Sequence, residues 1–383
     1  MAVIFGAGYE ASNLIQHEDE LGIEYFIDNN KDKIGEDFFG YNIKEPQYIL
    51  NKEYDLVILS SVKYADEMRE QLLGMGVDKK KIINIKELKF FENKEEYTES
   101  ASPLMDIKIR NHRDYDELHF PDCLNEMEKI FSKMVIRSAR KRISYPGKCQ
   151  VCKKNVGLLI DNQYSGDWLK VNLRERLVCP ICNLNNRQRV MIRLVLDEIP
   201  TDSNIYVTEQ VTPVYQCLKK YYSNLIGSEY MGGGGIIGGT INKRGIRHED
   251  LLKLSFQTEE MDCIVSNDVL EHVADVEQAL SEIYRVLKKE GIFYATFPMN
   301  FDLKATVKRA EMTEEGSIKH LLKPVYHGNP VSEDGSLVFY DYGMDIMELV
   351  KKAGFSDAYF IPFYSVPYGN IGVKSLFIFK ARK

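Results

Sequence analysis

The chain has 383 residues, 44% of them hydrophobic and 28% charged, with a formal net charge of −7. This is ordinary globular composition at a length for two or three domains. No apolar run approaches the ~20 residues of a membrane-spanning helix, and no basic segment precedes the opening "MAVIFGAGYE", so a cytoplasmic protein is expected rather than a membrane or secreted one.

Residues 1–90 alternate strand and helix signals. "AVIFGAG" is a short apolar strand ending in glycines, "YEASNLIQHEDELG" reads as a helix, "IEYFIDNN" and "YDLVILSS" as strands, "DEMREQLLGMGV" as a helix, and "KIINIKEL" closes the series. Such alternation implies a parallel sheet with helices on its faces. Gly6-Ala7-Gly8-Tyr9-Glu10-Ala11 fits G-x-G-x-x-A between the first strand and helix. There glycines let backbone N–H groups approach a phosphate at the positive end of a helix. Asp28 follows about twenty residues on, where an acidic side chain commonly accepts ribose hydroxyls. The competing reading is a glycine turn that only packs helix on strand.

"IFGAGYEA", "FIDNNKDKIGEDFFGYNI" and "YDLVILSS" resemble the N-terminal Rossmann-like domain of bacterial sugar acyltransferases and related surface-polysaccharide enzymes, over roughly residues 2–88. The resemblance implies a domain able to hold a nucleotide-sugar.

Residues 91–143 read as a linker and helical segment: "FENKEEYTESASP" is polar and acidic, and "LNEMEKIFSKMVIRSARKRI" carries apolar residues at helical spacing. Residues 144–186 hold two Cys-x-x-Cys pairs, Cys149/Cys152 and Cys179/Cys182, while Cys123, Cys217 and Cys263 are scattered. A secreted disulfide framework would be shorter and denser. Two thiolate pairs brought together form a tetrahedral site suited to Zn2+; with four protein ligands and no open position, that metal is structural. The competing reading is unrelated free cysteines.

Between Arg137 and Arg193 there are 13 Lys/Arg against 3 Asp/Glu, in an otherwise acidic chain. Such a block suits an anionic partner, or is a solvated surface. A zinc module beside it raises nucleic-acid binding, but few aromatics (Tyr145, Tyr164, Trp168) interleave it as stacking platforms.

From residue 187 a helix, "RQRVMIRLVLDEI", leads into a second α/β region that runs to residue 383. "MDCIVSN" is a strand followed by a polar turn, with Asn267 and Asp268 at the carboxyl edge of the sheet, where α/β proteins bind ligands. "ADVEQALSEIYRVLKKEG" is an amphipathic helix with Val276, Leu280, Ile283 and Leu287 on one face, and "GIFYATFP" is the next strand. "MGGGGIIGG" (231–239) is too rich in glycine for an element interior and reads as a loop.

The run from Asp262 to Pro298, with "VLEHV", "EIYRVLKKEG" and "TFP", resembles motifs IV to VI of class I S-adenosylmethionine-dependent methyltransferases. "RHEDLLKLSF" and "NLIGSEY" match further segments, and "FSDAYFIPF" and "VKSLFIFKARK" look like that fold's last antiparallel pair. "CPIC-x4-R-x-R" leading into such a domain is similar to a bacterial subgroup that includes carbohydrate-modifying methyltransferases. The resemblance covers about residues 187–383 and implies α/β architecture overall, with two Rossmann-like parallel-sheet domains joined by a helical segment and a four-cysteine module. It further implies that Glu229 accepts the ribose hydroxyls, Asp250 meets the adenine amino group with Leu251 beside the ring, and Glu209, Asn267 and Asp268 line the cofactor site. The family's first strand is followed by G-x-G; here Ile205-Tyr206-Val207-Thr208-Glu209 is followed by "QVTP". The loop either holds the cofactor by a wider path or is degenerate.

Methyl transfer from a sulfonium is an in-line displacement, in which the protein aligns the acceptor and, for a hydroxyl, removes its proton. His327 in "KPVYHGNP" is the candidate base, His272 in "LEHV" packs at the cofactor pocket, and Asp268 orients the acceptor. The expected function is methyl transfer to an anionic small molecule, a sugar or nucleotide-linked sugar. The alternatives are an RNA or DNA methyltransferase and a non-catalytic binding protein that has lost its cofactor site.

Overall fold

Apolar runs in the first eighty residues assemble into a six-stranded sheet in the computed structural model. Its strands are β1 (Ala2–Phe5), β2 (Ile23–Ile27), β3 (Asp37–Phe38), β4 (Tyr41–Lys44), β5 (Leu56–Leu59) and β6 (Ile82–Asn84). The order is β3-β4-β2-β1-β5-β6, parallel except for the antiparallel β3–β4 pair. Strands buried on both faces read as unbroken apolar runs. Accordingly Val3, Phe5, Val57 and Leu59 pack to one side with Leu72 of helix α1 (Ala65–Gly74), and Ala2, Ile4 and Ile58 pack to the other.

The structure describes all residues except 9–10, 12–13, 15–20, 62–63, 88–106, 120–122, 139–140, 168, 233–236, 330–331 and 373–375, with backbone alone at 86, 123–126, 329 and 332–334. Most of the helix expected after the first glycine loop, the expected linker 91–103, Trp168 and the middle of the glycine run lie outside the described residues.

The chain divides into two units. One comprises Met1–Pro103, Asp122–Asn186 and Ser365–Val373; the other comprises Leu104–Pro121, Arg187–Tyr364 and Lys374–Lys383. Short helix α2 (His112–Asp116) lies in the second unit, and α3 (Cys123–Arg137) in the first. Beyond the six-stranded sheet, the first unit holds the hairpin β7 (Arg142–Cys149) and β8 (Lys154–Asp161), extended by an antiparallel bridge between Leu159 and Val178. Segment 365–373 docks there: Lys148 N donates to the Pro367 carbonyl, and Asn186 Nδ2 donates to those of Leu173 and Ile371.

Helix α4 (Asn186–Glu198) opens the second α/β region. The second unit is built on a sheet of β9 (Ile205–Val207), β10 (Leu225–Gly227), β11 (Met261–Asn267), β12 (Leu287–Thr296), β19 (Asp357–Pro362) and β20 (Phe377–Arg382), in the order β10-β9-β11-β12-β20-β19. The first four run parallel, and β12–β20 and β20–β19 are antiparallel, so the last two segments of the chain do pair as their sequence suggests. Three small antiparallel pairs lie between β12 and β19: β13 (Val307–Lys308) with β18 (Tyr340–Asp341), β14 (Ala310–Met312) with β15 (Ile318–His320), and β16 (Tyr326–Asn329) with β17 (Ser332–Leu337).

Helix α5 (Pro213–Leu218) begins at Thr212, whose side chain caps the Tyr215 N–H, with Pro213 at its first position. Helix α6 (Val276–Val286) is capped by Asp275 and buries Val276, Ala279, Leu280, Ile283 and Val286 against the sheet. It ends earlier than its sequence pattern suggests. Leu287 takes up extended backbone to pair with Met261, and the residues read as a last helical turn become the start of β12. Helix α7 (Ile346–Lys352) precedes β19. Among the described residues, no helix is long and apolar enough to cross a membrane.

Candidate active site and cysteine centre

Parallel strands present their carboxyl ends at one edge, and there the second unit gathers its buried acids. Glu209 follows β9, Glu229 follows β10, and Asn267 and Asp268 close β11. Asn267 Nδ2 donates to Glu209 Oε1 at 2.6 Å. Glu229 Oε1 accepts the backbone N–H groups of Gln210 (2.7 Å) and Val211 (2.9 Å). The turn "EQVTP", which lacks glycine, is therefore held from below by a buried carboxylate. Gln210 extends the hold through its side chain, donating to the Gly245 carbonyl (2.8 Å) and accepting from Arg247 N (2.7 Å). No glycine is needed in the turn itself. The close approach falls instead on Gly227, where a Cβ would lie 2.5 Å from the Tyr215 ring and 2.8 Å from the Glu209 carbonyl.

Burial pushes the Glu209 carboxyl above its ordinary range, partly offset by hydrogen bonds from Thr212 and Asn267. Glu229 moves the same way for the same reason, partly offset by the Gln210 and Val211 N–H groups. Two desolvated carboxylates on neighbouring strand ends suit a ligand that carries positive charge and hydroxyl donors.

Asp268 has a left-handed backbone (φ 51°), and its carboxylate meets the Arg187 guanidinium at 2.6 Å. Thr296 Oγ1 lies between them, accepting from Arg187 Nη1 at 2.9 Å. Arg187 is itself buried. It is the first arginine of "CPIC-x4-R-x-R", a pattern visible in the sequence whose charge partner was not. Asp250 accepts the Leu252 N–H at 2.9 Å in the turn after a parallel bridge between Glu229 and His248, and Leu251 is buried beside it.

The 3-10 turn Leu270–His272 carries the next group of side chains. His272 Nδ1 lies 2.8 Å from the Leu337 carbonyl, and its ring meets that of His327 edge to face at 5.0 Å. Glu271, fully buried between them, lies 3.6 Å from His272 Nε2 and 3.6 Å from His327 Nδ1. The chain thus brings His272 and His327 together across 55 positions. Glu271 was missed by sequence reasoning although it precedes His272 directly, because a lone Glu in a turn carries no burial signal.

In the first unit, Gly6 has φ 100°, and a Cβ there would lie 2.6 Å from Ser60 Oγ; among the described residues, one at Gly8 would meet nothing within 4 Å. Asp28 accepts from Ala7 N (2.8 Å), Asn30 N (2.8 Å) and Lys33 Nζ (3.1 Å), and Lys33 also donates to the Ala7 carbonyl. Asp28 and Lys33 thereby fix the loop.

The four cysteines converge. Cys149 and Cys182 sulfurs lie 3.8 Å apart, those of Cys152 and Cys179 4.0 Å apart, and all four within 4.8 Å of one another. A tetrahedron of thiolates about 2.3 Å from a Zn2+ ion has edges of about 3.8 Å, so the Cys149–Cys182 and Cys152–Cys179 pairs match the spacing that ion requires. The residue after each second cysteine, Lys153 or Asn183, is left-handed, as a tight knuckle requires, and Cys152 N donates to Cys149 Sγ. Burial raises the Cys152 thiol to about 12, while hydrogen bonds from Cys149 and then Cys182 draw that of Cys179 far down. Several cations of the basic block are already paired: Arg176 with Asp161, Arg174 with Glu175, Arg187 with Asp268 and Arg193 with Asp197.

Comparison with known proteins finds a match to a methyltransferase family model in the second unit. Residues 235–295 match the family model of a methyltransferase domain, and residues 1–83 match that of the C2185-like N-terminal domain. The chain therefore carries a methyltransferase domain on an α/β fold with a parallel sheet. No curated protein matches it. Among solved structures it is similar to an S-adenosylmethionine-dependent methyltransferase from Mesorhizobium loti, at 13% identity over 50% of this chain and 96% of that one, with a TM-score of 0.31. It is also similar to a possible histamine N-methyltransferase from Thermotoga maritima (17%, 50% and 87%, TM-score 0.29). A third is the 1,6-didemethyltoxoflavin-N1-methyltransferase of Burkholderia thailandensis, solved with S-adenosylhomocysteine (12%, 51% and 80%, TM-score 0.30).

Proposed function

We propose that the protein methylates a hydroxyl of a sugar or nucleotide-linked sugar, and that its cysteine quartet holds a structural Zn2+. The observation that carries the acceptor reading is the pair of imidazoles, His272 and His327, in the turn and hairpin beyond Asp268. A hydroxyl must lose its proton to accept a methyl group, and imidazole is the side chain suited to taking it near neutral pH.

The cofactor supplies an activated methyl on a sulfonium. Glu229 keeps Oε2 for ribose hydroxyls while Oε1 holds the turn, and Glu209 with Asn267 would receive the amino-acid end. Asp250 and Leu251 would meet the adenine, and Asp268, braced by Arg187, would orient the acceptor. Gly6, Gly8 and Asp28 would hold a nucleotide-sugar in the first unit by itself.

The test is incubation with methyl-labelled S-adenosylmethionine and a panel of nucleotide-sugars, with RNA alongside. Label in a nucleotide-sugar is expected. Label in RNA alone would replace this reading with a nucleic-acid methyltransferase, whose binding should fall steeply with salt.

A further inference from the structure

We infer that Glu271, His272 and His327 hold a divalent cation, a second metal site separate from the cysteine quartet. One carboxylate oxygen and two imidazole nitrogens, one from each residue, lie within 4.8 Å of one another. The Glu271 side chain is fully buried, and among the described residues neither of its oxygens has a hydrogen-bond partner. A buried carboxylate is unfavourable unless something compensates its charge, and a cation there would do so.

His272 is arranged to supply a lone pair to that charge. A carbonyl oxygen only accepts, so the contact from His272 Nδ1 to the Leu337 carbonyl places the ring proton on Nδ1. The lone pair of the neutral ring is then on Nε2, which faces Glu271. Fixing a ligand histidine through its other nitrogen is the usual outer-sphere device at metal sites. Both nitrogens stand 3.6 Å from Glu271 Oε1, beyond hydrogen-bond reach. Ligands about 2.1 Å from one ion at near-right angles lie about 3 Å or slightly more apart, so the two imidazoles would have to draw in toward the carboxylate to close the set.

Two nitrogens and one carboxylate leave further positions on the cation open, which is the pattern of a metal that binds a reactant. The acceptor this site would take is an alcohol, and a vicinal diol would fill two open positions. This part rests on the methyl-transfer reading above, but replaces the imidazole as base: with both rings on the cation, the cation acidifies the hydroxyl. The bound hydroxyl, acidified by the cation, gives its proton to solvent. Its oxygen then bonds to the methyl carbon of the donor. The carbon–sulfur bond breaks with its electron pair left on sulfur, now a neutral thioether.

Mn2+ is the probe, because carboxylate and imidazole suit it and thiolates do not. Binding to the full chain, with neither cofactor nor acceptor added, is followed by the loss of the free-ion electron paramagnetic resonance signal. Wild type and the surface control His119→Ala should bind one ion per chain. Glu271→Gln and His327→Ala should each bind at least about tenfold more weakly, in line with removal of a ligand. Circular dichroism checks that the buried Glu271→Gln variant folds, and the half-exposed His327 position provides an independent variant. No binding at millimolar Mn2+, or equal binding in all four proteins, would overturn the site. This result does not depend on whether any sugar is methylated. If the ion binds as expected but does not raise methyl transfer in wild type above that in His327→Ala, the acceptor role falls and the site stands.

Discussion

Glu229→Ala removes the one oxygen that accepts both N–H groups of the glycine-free turn, at 2.7 and 2.9 Å. Hydrogen bonds to a charged acceptor contribute about 1.5–3 kcal/mol each. Both donors sit at positions that water reaches in part, Val211 being exposed, so the low end applies and the two together come to about 3 kcal/mol. The loss is reduced by the cost of burying the carboxylate, which already holds the Glu229 carboxyl above its ordinary range. A net destabilisation of about 2 kcal/mol is therefore expected, read as a lower urea midpoint at unchanged slope. Glu229→Gln keeps an acceptor oxygen without the charge and should stay within about 1 kcal/mol of wild type. Calorimetry on the same proteins should show S-adenosylmethionine affinity lost in Glu229→Ala. Wild-type stability and wild-type affinity in that variant would refute the idea that this carboxylate both builds the turn and receives the ribose.

Cys179→Ala should lose bound Zn2+ by elemental analysis and unfold the β7–β8 region at lower denaturant, because a structural zinc contributes directly to folding; full zinc content in the variant would refute the four-thiolate site. Gly6→Ala should cost about 1–3 kcal/mol through its positive φ and the clash with Ser60, whereas Gly8→Ala should change stability by less than about 0.5 kcal/mol; equal effects would contradict the described loop. Glu209 and Glu229 both have folded values raised by burial, so their protonated forms are favoured in the fold. Their contribution is greatest below the unfolded carboxylate value and falls as pH rises through the raised folded values. Apoprotein stability should accordingly fall over that window in wild type and less in a Glu209→Gln/Glu229→Gln variant, while affinity for the cationic cofactor should rise; a flat stability profile in wild type would contradict it.

The fold was largely legible where the physics is local. Unbroken apolar runs such as "DLVILSS" and "DCIVSN" declare strands covered on both faces, and the 3.6-residue spacing from Val276 to Ile283 declares a helix packed on a sheet. The end of that helix was not legible, because Leu287 is taken by its pairing with Met261, a partner 26 positions away. The cysteine spacing pointed to four sulfurs in one place, and the sulfurs do converge. The candidate site was legible only as a set of acidic and polar residues at strand ends. What each one touches depends on long-range neighbours: Asp268 on Arg187, Glu229 on the backbone of Gln210 and Val211, and Glu271 on a histidine 56 positions away. Glycine was expected where the cofactor loop turns, and the solution here is a carboxylate beneath the turn, which no local pattern announces.

The most direct test of the central claim is isothermal calorimetry of the full chain with S-adenosylmethionine. One molecule should bind per chain at micromolar to sub-millimolar concentration, and binding should be abolished by Glu229→Ala. No heat of binding at millimolar cofactor would contradict the assignment of the β9–β11 edge as a working methyl-donor site.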